Sequence, residues 1–577
     1  MKNILNHSSV LPYCWYDTRR EKIALQALSS PDAVSVDLIY GDPYQYEKEP
    51  GGTNWVWRHQ EKELSPQYRS PEQTLWRVEL DVPVWRRLKY GFRVKTSAET
   101  YYVSESGTLP YHPNLLDHIA NFFLIPYIHK VDAPAVPDWV GNTVWYQIFP
   151  ERFCRGDPRL SPLGCLDWET GEPGHQTFFG GDLPGIRQKL PYLADLGING
   201  LYLTPIFTSP SNHKYNIEDY FAIDPHFGTL EDLKNLVSEA HRLGIRVMLD
   251  AVFNHAGSTH PFWRDVLNRQ EHSQYKEYFH IRRFPVREDG PQDFETFSFT
   301  PRMPKWNTEN PGARKYLLEA ARYWIRECDI DGWRLDVANE VSLDFWREFA
   351  ERVRREKPDF YILGEMWFDG SPWIKPGYFD AVMHYPLGYA IGDYFLKKQI
   401  SAQTFSDRLV TLLSRYSGVH SPAAFTLLDS HDTQRALTAA KGDKQALRNA
   451  FGMLFLLPGS PCLYYGTEIG LDGAGDPHCR KPMRWDPAKQ DRSLFAFFKE
   501  LIAFRRKYSE LLNRSAILYA PIDGLPAWDI ADPEGRKLFS IVYPEGAGTK
   551  MPKILPEDPI LRTGDPGDRA LTVYKFF

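Results

Sequence analysis

Eight apolar, β-rich runs lie between about residue 140 and residue 465, and helical stretches separate most of them. The two clearest helical patterns, with apolar residues at helical spacing, cover residues 230–243 and 314–328. Buried strands that alternate with helices form parallel sheets, and eight such units over roughly 360 residues favour a closed (β/α)8 barrel over an open sheet. The predicted strands are 143–149, 200–204, 245–250, 330–336, 361–364, 379–383, 423–428 and 462–465.

The connection after the third predicted strand is far longer than the others. It runs from Asp250 to Ile330 and includes the irregular, aromatic-rich stretch 261–284. A connection of this length usually has a function, as a lid or a subdomain. We therefore predict a catalytic barrel over residues 140–505 with an inserted subdomain at about 256–306.

The segments that flank the predicted barrel have the character of β-domains. In residues 1–125, stretches such as 33–40 and 75–80 alternate apolar and polar residues between Gly- and Pro-rich turns, which is typical of an antiparallel β-sandwich. Residues 126–139 contain a stiff Pro-rich linker. Strand-like pieces in 506–577 predict a small C-terminal β-domain. The predicted fold class is thus α/β, a (β/α)8 TIM barrel with an N-terminal β-sandwich, the inserted subdomain and the C-terminal β-domain.

Composition narrows the partners. The 577 residues include 68 Lys and Arg against 74 Asp and Glu, a formal net charge of −6. No positive excess favours nucleic acid or an anionic membrane, so we expect neither as a partner. The longest apolar run, 451–465, contains two prolines and is too short to span a bilayer. The six cysteines have no CxxC spacing and no signal peptide is evident, which favours a cytoplasmic protein.

Polar side chains follow four of the predicted strands at the point where each strand ends. The third ends at Asp250, the fourth at Asp336, and Glu365 follows the fifth, while 429–432 (DSHD) follow the seventh. Each alone could be an ordinary turn or cap residue. Because a barrel's strands meet at their carboxyl ends, where active sites lie, their coincidence on four strands favours a catalytic site.

Clustered carboxylates with an arginine, and no phosphate-binding glycine loop, suggest glycoside hydrolysis. In this chemistry one carboxylate attacks the anomeric carbon and another carboxyl group protonates the leaving oxygen. Arg334 lies two residues before Asp336 on a strand, so both side chains point to the same face. A guanidinium there would keep Asp336 ionised, as a nucleophile requires. The apolar neighbours of Glu365 suit a proton donor.

Four motifs resemble the signature regions of the α-amylase family, family 13 of the glycoside hydrolases. They are DAVFNH (250–255), GWRLDVANE (332–340), GEMW (364–367) and LLDSHD (427–432), in the family's order. MPKW (303–306) and VANE (337–340) resemble the neopullulanase, cyclomaltodextrinase and maltogenic amylase subgroup. That subgroup also has a β-sandwich before the barrel and a β-domain after it.

The resemblance implies a retaining double displacement and a role for each matching residue. Asp336 would be the nucleophile, Glu365 the general acid/base, and Asp432 would stabilise the transition state. The residues implied to hold the sugar in the −1 subsite are Tyr215, Asp250, His255, Arg334 and His431. Those implied to line the acceptor side are Glu340, Trp367 and Met383. A simple rim position for Tyr215 and a solvated loop charge for Glu340 remain the alternatives.

The loop after the first strand departs from the family pattern, in which an Asn- and Asp-rich segment and a later Gly-Gly-Asp bind calcium. Arg155 stands where an Asn ligand is expected. Calcium needs about six to eight oxygen ligands, and few remain here. We therefore expect no required cofactor, with a guanidinium in the place of the cation. Calcium held by Asp157, Gly180 and Asp182 is the alternative.

The implied activity is hydrolysis of α-1,4-glucosidic bonds in cyclodextrins, maltodextrins, pullulan and starch, giving mainly maltose, panose and glucose, with transglycosylation. The resemblance also implies a homodimer that forms through the N-terminal domain, with Trp55 and Trp57 as candidate contact residues. One alternative is an enzyme of the same fold that mainly transfers or isomerises glucans. The other is a non-catalytic glucan-binding protein, which the presence of Asp336, Glu365 and Asp432 disfavours.

Overall fold

A computed structural model describes residues 4–48, 51–53, 55–118, 120–289, 292–546, 548–552, 555–556, 558–565 and 568–576. The chain divides into two compact units. The first contains Met1–Ala135, Lys398–Pro422 and Glu510–Phe577. The second contains Val136–Lys397 and Ala423–Ser509. No helix in the described ranges is long and apolar enough to cross a membrane.

The second unit is the predicted barrel. The eight strands of its barrel sheet are parallel and fall within or beside the predicted ones, and a separate antiparallel pair joins Phe207–Thr208 and Asp219–Ile223. Numbered β1 to β8 in chain order, the barrel strands have the sheet order β6-β5-β4-β3-β2-β1-β8-β7. A parallel bridge between Met383 and Phe425 joins the two ends of this order and closes the barrel. The strands are β1 (Trp145–Ile148), β2 (Gly200–Leu203), β3 (Arg246–Ala251), β4 (Gly332–Leu335), β5 (Tyr361–Gly364), β6 (Ala381–Val382), β7 (Phe425–Thr426) and β8 (Ser460–Tyr464).

Helices surround the strands and pack their apolar faces inward. In α3, for example, Leu233, Leu236, Val237 and Ala240 are buried at helical spacing, and a capping box between Thr229 and Asp232 begins the helix. The α-helices of the chain are α1 (Leu183–Gln188), α2 (Leu190–Leu196), α3 (Leu230–Arg242), α4 (Pro261–Arg269), α5 (Pro311–Cys328), α6 (Leu343–Glu356), α7 (Tyr385–Ile391), α8 (Ala402–Leu413), α9 (Ala436–Ala439), α10 (Lys444–Leu456) and α11 (Arg492–Arg514).

The long connection after β3 folds around its own aromatic core, as the predicted inserted subdomain requires. Trp263 packs against Phe279 and Phe294 with ring centroids 4.9 and 4.6 Å apart. A bridge between Thr296 and Pro304 and another between His255 and Lys305 return the chain to the barrel rim. The MPKW segment therefore lies beside the motif that follows β3.

The first unit is a β-sandwich, and its larger sheet has ten strands. Five of them come from the N-terminal segment: Leu5–Asn6, Cys14–Asp17, Lys22–Ser29, Ser65–Arg69 and Thr74–Asp81. The other five come from the C-terminal segment: Ala516–Tyr519, Ala527–Ala531, Lys537–Val542, Leu561–Arg562 and Thr572–Lys575. The parallel pairing of Ile517 with Tyr68 joins the two sets. The two predicted β-domains thus share one sheet.

The second sheet of this unit contains Ala33–Gly41, Gln60–Glu63, Leu88–Thr96, Thr100–Ser104, Gly107–Pro110 and Phe123–Ile125. Its inward residues, such as Leu38 and Phe92, form one core with Leu25 and Val78 of the larger sheet. A separate hairpin pairs Tyr46–Lys48 with Trp55–Trp57. In this hairpin Trp57 is buried against Phe122, whereas Trp55 is 62% exposed.

Candidate active site

A cavity of about 580 Å³ opens at the carboxyl ends of the barrel strands. Of the carboxylates predicted from the strand ends, Asp336, Glu365 and Asp432 lie in its wall, whereas Asp429 is buried and accepts the amide N–H of Ala436. Its lining residues are His213, Tyr215, His255, Phe297, Met303, Asp336, Val337, Asn339, Glu340, Glu365, Trp367, Phe368, Asp432, Asp476 and Arg480.

Arg334 lies at the centre of the floor and is fully buried. One of its terminal nitrogens lies 3.0 Å from Oδ1 of Asp250 and 2.7 Å from Oδ1 of Asp336. The other lies 2.8 Å from Oε1 of Glu365. A single guanidinium therefore binds three carboxylates from three neighbouring strands.

Strand register produces this arrangement. Asp250 of β3 is aligned with Arg334 of β4, so their side chains point to the same face of the barrel. Asp336 donates its amide N–H to the carbonyl of Ala251, and Glu365 donates to the carbonyl of Leu335. These two bonds continue the ladder one residue beyond the strands. They place both carboxyl groups at the rim.

Burial and the neighbouring carboxylates raise the pKa of Asp250 and of Asp336. Burial raises the pKa of Asp250 to about 6, against the opposing charge of Arg334. Burial also raises the pKa of Asp336 well above its usual value, and the neighbouring Glu365 and Asp250 add to the effect of burial while Arg334 opposes it. The expectation that Arg334 would by itself keep Asp336 ionised is thus too simple, because one positive charge is divided among three carboxylates.

Tyr215 and His431 form the adjacent wall. The Tyr215 hydroxyl donates to Oδ2 of Asp250 at 2.9 Å and lies 2.6 Å from Nε2 of His431. Their rings are nearly parallel, with centroids 5.4 Å apart. Burial lowers the pKa of His431 well below its usual value, and Arg480 and Arg334 add to this. His431 is therefore neutral, and it also lies 3.1 Å from Oδ2 of Asp432.

Two residues of this wall have no counterpart in the sequence prediction. The side-chain amide of Gln147, on β1, lies 2.6 Å from Nδ1 of His431. Arg480 donates from Nε to the carbonyl of His431 at 2.8 Å and from a terminal nitrogen to Oδ1 of Asp432 at 3.2 Å. Gln147 lies within the apolar strand β1, so the sequence gives no signal for its role, and Arg480 lies in a short turn after β8.

Glu365 is held through both of its oxygens. The amide N–H of Val337 donates to Oε2 at 2.9 Å, and the indole N–H of Trp367 donates to Oε1 at 3.1 Å. The Trp367 ring stacks on Tyr385, with centroids 4.0 Å apart and planes 6° apart. Since Trp367 is also 38% exposed, it presents an aromatic edge to the cavity beside the acid.

The remaining predicted site residues occupy different places. His255 lies in the cavity wall, stacked on Phe297 with centroids 5.1 Å apart. Glu340 also lines the cavity, but its carboxylate is paired with Lys305 at 3.0 Å. Met383 is fully buried in the barrel wall, where its amide extends the sheet to Gly364. The structure therefore brings all of the predicted substrate-binding residues except Met383 to the cavity or directly beneath it.

The residues of the predicted cation loop do not fit calcium. Asp157 accepts both nitrogen donors of Arg159, and the two oxygens of Asp182 accept amides of Gly156, Asp157 and Gly185. Arg155 donates to the carbonyls of Phe179 and Leu166, at 3.0 and 3.3 Å. A cationic side chain therefore already occupies these two carbonyl oxygens. In the part of the chain that the structure describes, no group of three or more His, Cys, Asp and Glu side chains is placed to hold a metal ion.

Comparison with known proteins gives consistent matches over most of the chain. The family model "Alpha amylase, catalytic domain" matches residues 147–515, and "Alpha amylase, N-terminal ig-like domain" matches residues 1–129. A cyclomaltodextrinase of Geobacillus thermopakistaniensis is 45% identical over 542 residues, which cover 94% of this chain and 90% of that protein. An intracellular maltogenic amylase of Bacillus subtilis is 46% identical over 508 residues, 88% and 84% of the two chains. A solved cyclomaltodextrinase structure is similar with a TM-score of 0.84 and 41% identity, covering 94% of this chain and 90% of its own.

Proposed function

Because this chain belongs to the α-amylase family of glycoside hydrolases, we propose that it cleaves α-1,4-glucosidic bonds of cyclodextrins, maltodextrins, pullulan and starch with retention of configuration. It is a glycoside hydrolase of the cyclomaltodextrinase, maltogenic amylase and neopullulanase type. The observation that carries the proposal is the convergence of Asp336, Glu365 and Asp250 on one guanidinium at the cavity floor. Retaining glycoside hydrolysis needs two carboxyl groups of opposite protonation state at this position.

In the first step, Asp336 attacks the anomeric carbon and Glu365 gives a proton to the leaving glycosidic oxygen. Asp336 is suited to attack because Arg334 neutralises its charge from below while its outer oxygen faces the cavity. Glu365 is suited to proton transfer because Val337 and Trp367 fix both of its oxygens. The bond to the leaving sugar breaks as the glycosyl–enzyme ester forms.

In the second step, Glu365 takes a proton from a water molecule, which attacks the anomeric carbon and releases Asp336. Microscopic reversibility requires the same residue to act first as an acid and then as a base. Asp432 and the neutral His431 lie in the adjacent wall, 3.1 Å from each other. They are placed to bind sugar hydroxyls as positive charge develops on the ring.

Transglycosylation follows when a sugar replaces that water. Trp367 offers an aromatic edge on the acceptor side, and the pair of Glu340 and Lys305 offers an acceptor and a donor at the cavity rim. These groups would bind an acceptor sugar and so raise its chance against water.

Two further proposals concern the whole protein. A homodimer that forms through the N-terminal domain is supported by aromatic side chains exposed on one hairpin region, with Tyr44 at 77% and Trp55 at 62%. A cytoplasmic location is supported by the name of the Bacillus subtilis relative, an intracellular maltogenic amylase.

Product chromatography after incubation with β-cyclodextrin, pullulan and soluble starch tests the proposed activity. We expect cyclodextrin to be opened fastest, to maltose and glucose, with panose from pullulan. The control is Asp336→Asn, which is isosteric and should be inactive on all three substrates. Ready cleavage of starch with cyclodextrin left intact would overturn the substrate proposal. Undiminished activity of Asp336→Asn would overturn the site.

A further inference from the structure

Val337, the residue after Asp336, has a backbone conformation that its side chain disfavours. Its φ and ψ are 45° and 42°, in the left-handed region. Ten non-glycine residues of the described chain have positive φ, and Val337 is the β-branched residue among them. A branched Cβ collides with the backbone in this region, so the conformation persists only where surrounding contacts impose it. Such strain is concentrated at functional sites.

The contacts that impose this conformation join Glu365 to the turn over residues 338–340. The amide N–H of Val337 donates to Oε2 of Glu365 at 2.9 Å. The carbonyl of Val337 accepts the amide of Glu340 at 3.1 Å and so closes the turn over 338–340. The Trp346 indole fixes that turn by donating to the carbonyl of Ala338 at 2.8 Å.

The left-handed conformation of Val337 lets the peptide group before it face Glu365 and lets the chain turn back directly after it. The peptide before Val337 must face Glu365, and Asp336 is itself fixed by its amide bond to Ala251. The chain must then turn back at once, so that Glu340 reaches the cavity wall. Glycine would meet both requirements without strain, but it would also leave the peptide free to rotate away from the carboxylate. Once the surrounding contacts impose the left-handed conformation, valine has fewer alternative backbone angles within it than glycine has. Its half-buried side chain also lines the cavity.

We propose that Val337 is a positioning residue for proton transfer, whose strained backbone holds an N–H group on Oε2 of Glu365 and sets the acceptor-side turn. This inference rests on the proposed function, because it takes Glu365 to be the proton donor. The main chain of Val337 thus orients the carboxyl group of Glu365, in addition to the ion pair with Arg334.

Substrates that differ in leaving group separate this role from a merely structural one. A sugar leaving group needs a proton from Glu365, whereas fluoride leaves without one. We therefore compare kcat/KM for β-cyclodextrin and for α-maltosyl fluoride in Val337→Gly. General acid catalysis is worth about 10²–10⁴-fold in rate, so we expect a loss of about tenfold or more on cyclodextrin and a much smaller loss on the fluoride. The midpoint of thermal unfolding should stay the same or rise, since the strain is released.

Three further variants complete the test. Val337→Thr keeps the branched Cβ and should keep the wild-type ratio of the two kcat/KM values. Lys441→Gly makes the same change at an exposed residue with φ of 54° and should leave both values unchanged. Glu365→Ala should lose cyclodextrin cleavage and keep fluoride cleavage, with external azide raising its rate.

The rates of Val337→Gly and Glu365→Ala together distinguish a failure of the Val337 role from a failure of the Glu365 assignment. Equal losses on both substrates in Val337→Gly, or no loss on either, would overturn the role of Val337 if Glu365→Ala behaves as expected. If Glu365→Ala loses both substrates equally, or neither, the assignment of Glu365 as proton donor fails instead, and the proposed function fails with it.

Discussion

Arg334 brings one positive charge to three carboxylates, and this imbalance shapes the chemistry of the site. Two buried ion pairs already satisfy a guanidinium, so a third acid beside it keeps a proton more readily. Burial is the main cause of the raised pKa values of Asp250 and Asp336, and neighbouring carboxylates add to it while Arg334 opposes it. A retaining glycosidase needs one carboxyl group protonated while another is ionised. For the proposed first step, the proton retained in this cluster must therefore lie on Glu365 rather than on Asp336.

Substitution of Arg480 tests how the protonation of Asp432 is controlled. Burial raises the pKa of Asp432, and the charges of Arg480 and Arg334 oppose that rise. Removal of Arg480 as Arg480→Gln should raise the pKa of Asp432 further, so the acidic limb of the pH profile of kcat/KM moves to higher pH. We expect about a tenfold loss of kcat/KM at pH 5 and a smaller loss at pH 7, as one charge-assisted contact is worth about 1.5–3 kcal/mol.

The control for this change is Arg484→Gln, four residues further along the same loop and 40% exposed at its side chain. Its pH profile should match that of the wild type. An acidic limb that stays in place in Arg480→Gln would show that Arg480 does not hold Asp432 in its ionised form.

Residues at strand ends could be predicted, and residues that reach the site from irregular segments could not. Asp250, Asp336 and Glu365 stand out because each follows an apolar run, and a barrel brings such ends together. Arg480 has no such pattern around it, and Gln147 lies inside an apolar strand, where a polar residue gives no hint of its partner. The strain at Val337 depends on dihedral angles that residue type does not encode. Met383 was assigned by motif resemblance alone, and its side chain packs in the barrel wall.

At the scale of elements, apolar runs located every barrel strand but overestimated the length of several. The run at 379–383 yields a strand of two residues, Ala381–Val382, and the run at 423–428 yields Phe425–Thr426. Residues that flank these short strands, such as Phe379 and Leu427, are also buried. The apolar run therefore extends beyond the residues that are hydrogen-bonded in the sheet. The strand at Tyr361–Gly364 has the predicted bounds.

The guanidinium of Arg155 ties the loop after β1 together. Because Arg155 binds the carbonyls of Phe179 and Leu166, we expect the chelator EDTA to leave the midpoint of thermal unfolding unchanged. Arg155→Asn should lower this midpoint, since it removes hydrogen bonds worth about 1–3 kcal/mol in total. Arg159→Gln is the control, because that side chain is 90% exposed and should have little effect. A fall in the wild-type midpoint with EDTA, reversed by calcium, would contradict this account.

At the scale of the whole molecule, the ten-stranded sheet joins the two ends of the chain. Its junction pairs Ile517 with Tyr68 and Leu518 with Arg69, about 450 residues apart in sequence. Local alternation predicts that each segment is a strand. It contains no information about a partner so distant, and for this reason the sequence suggests two β-domains where the structure has a shared sheet.

Leu518→Pro tests the junction. Leu518 is paired in register with Arg69 on one side and with Asp529 on the other. Proline in an inner strand disrupts the ladder at a cost of about 3 kcal/mol or more. We expect hydrogen exchange to accelerate in the strand Ser65–Arg69 as well as in Ala527–Ala531. Leu518→Ala, which alters only a half-buried side chain, should affect both strands far less. Undisturbed protection of Ser65–Arg69 in the proline variant would show that the two segments are stabilised independently.

The proposed attack of Asp336 on the anomeric carbon forms a glycosyl–enzyme ester. Its most direct test is mass spectrometry of the protein after reaction with a 5-fluoro glycosyl fluoride, which slows hydrolysis of such an ester. We predict a mass increase of one fluoroglycosyl group, carried by the proteolytic peptide that contains Asp336, and no labelling of Asp336→Asn. A label on a different carboxylate, or an unlabelled enzyme that turns the reagent over with inversion of configuration, would contradict the account.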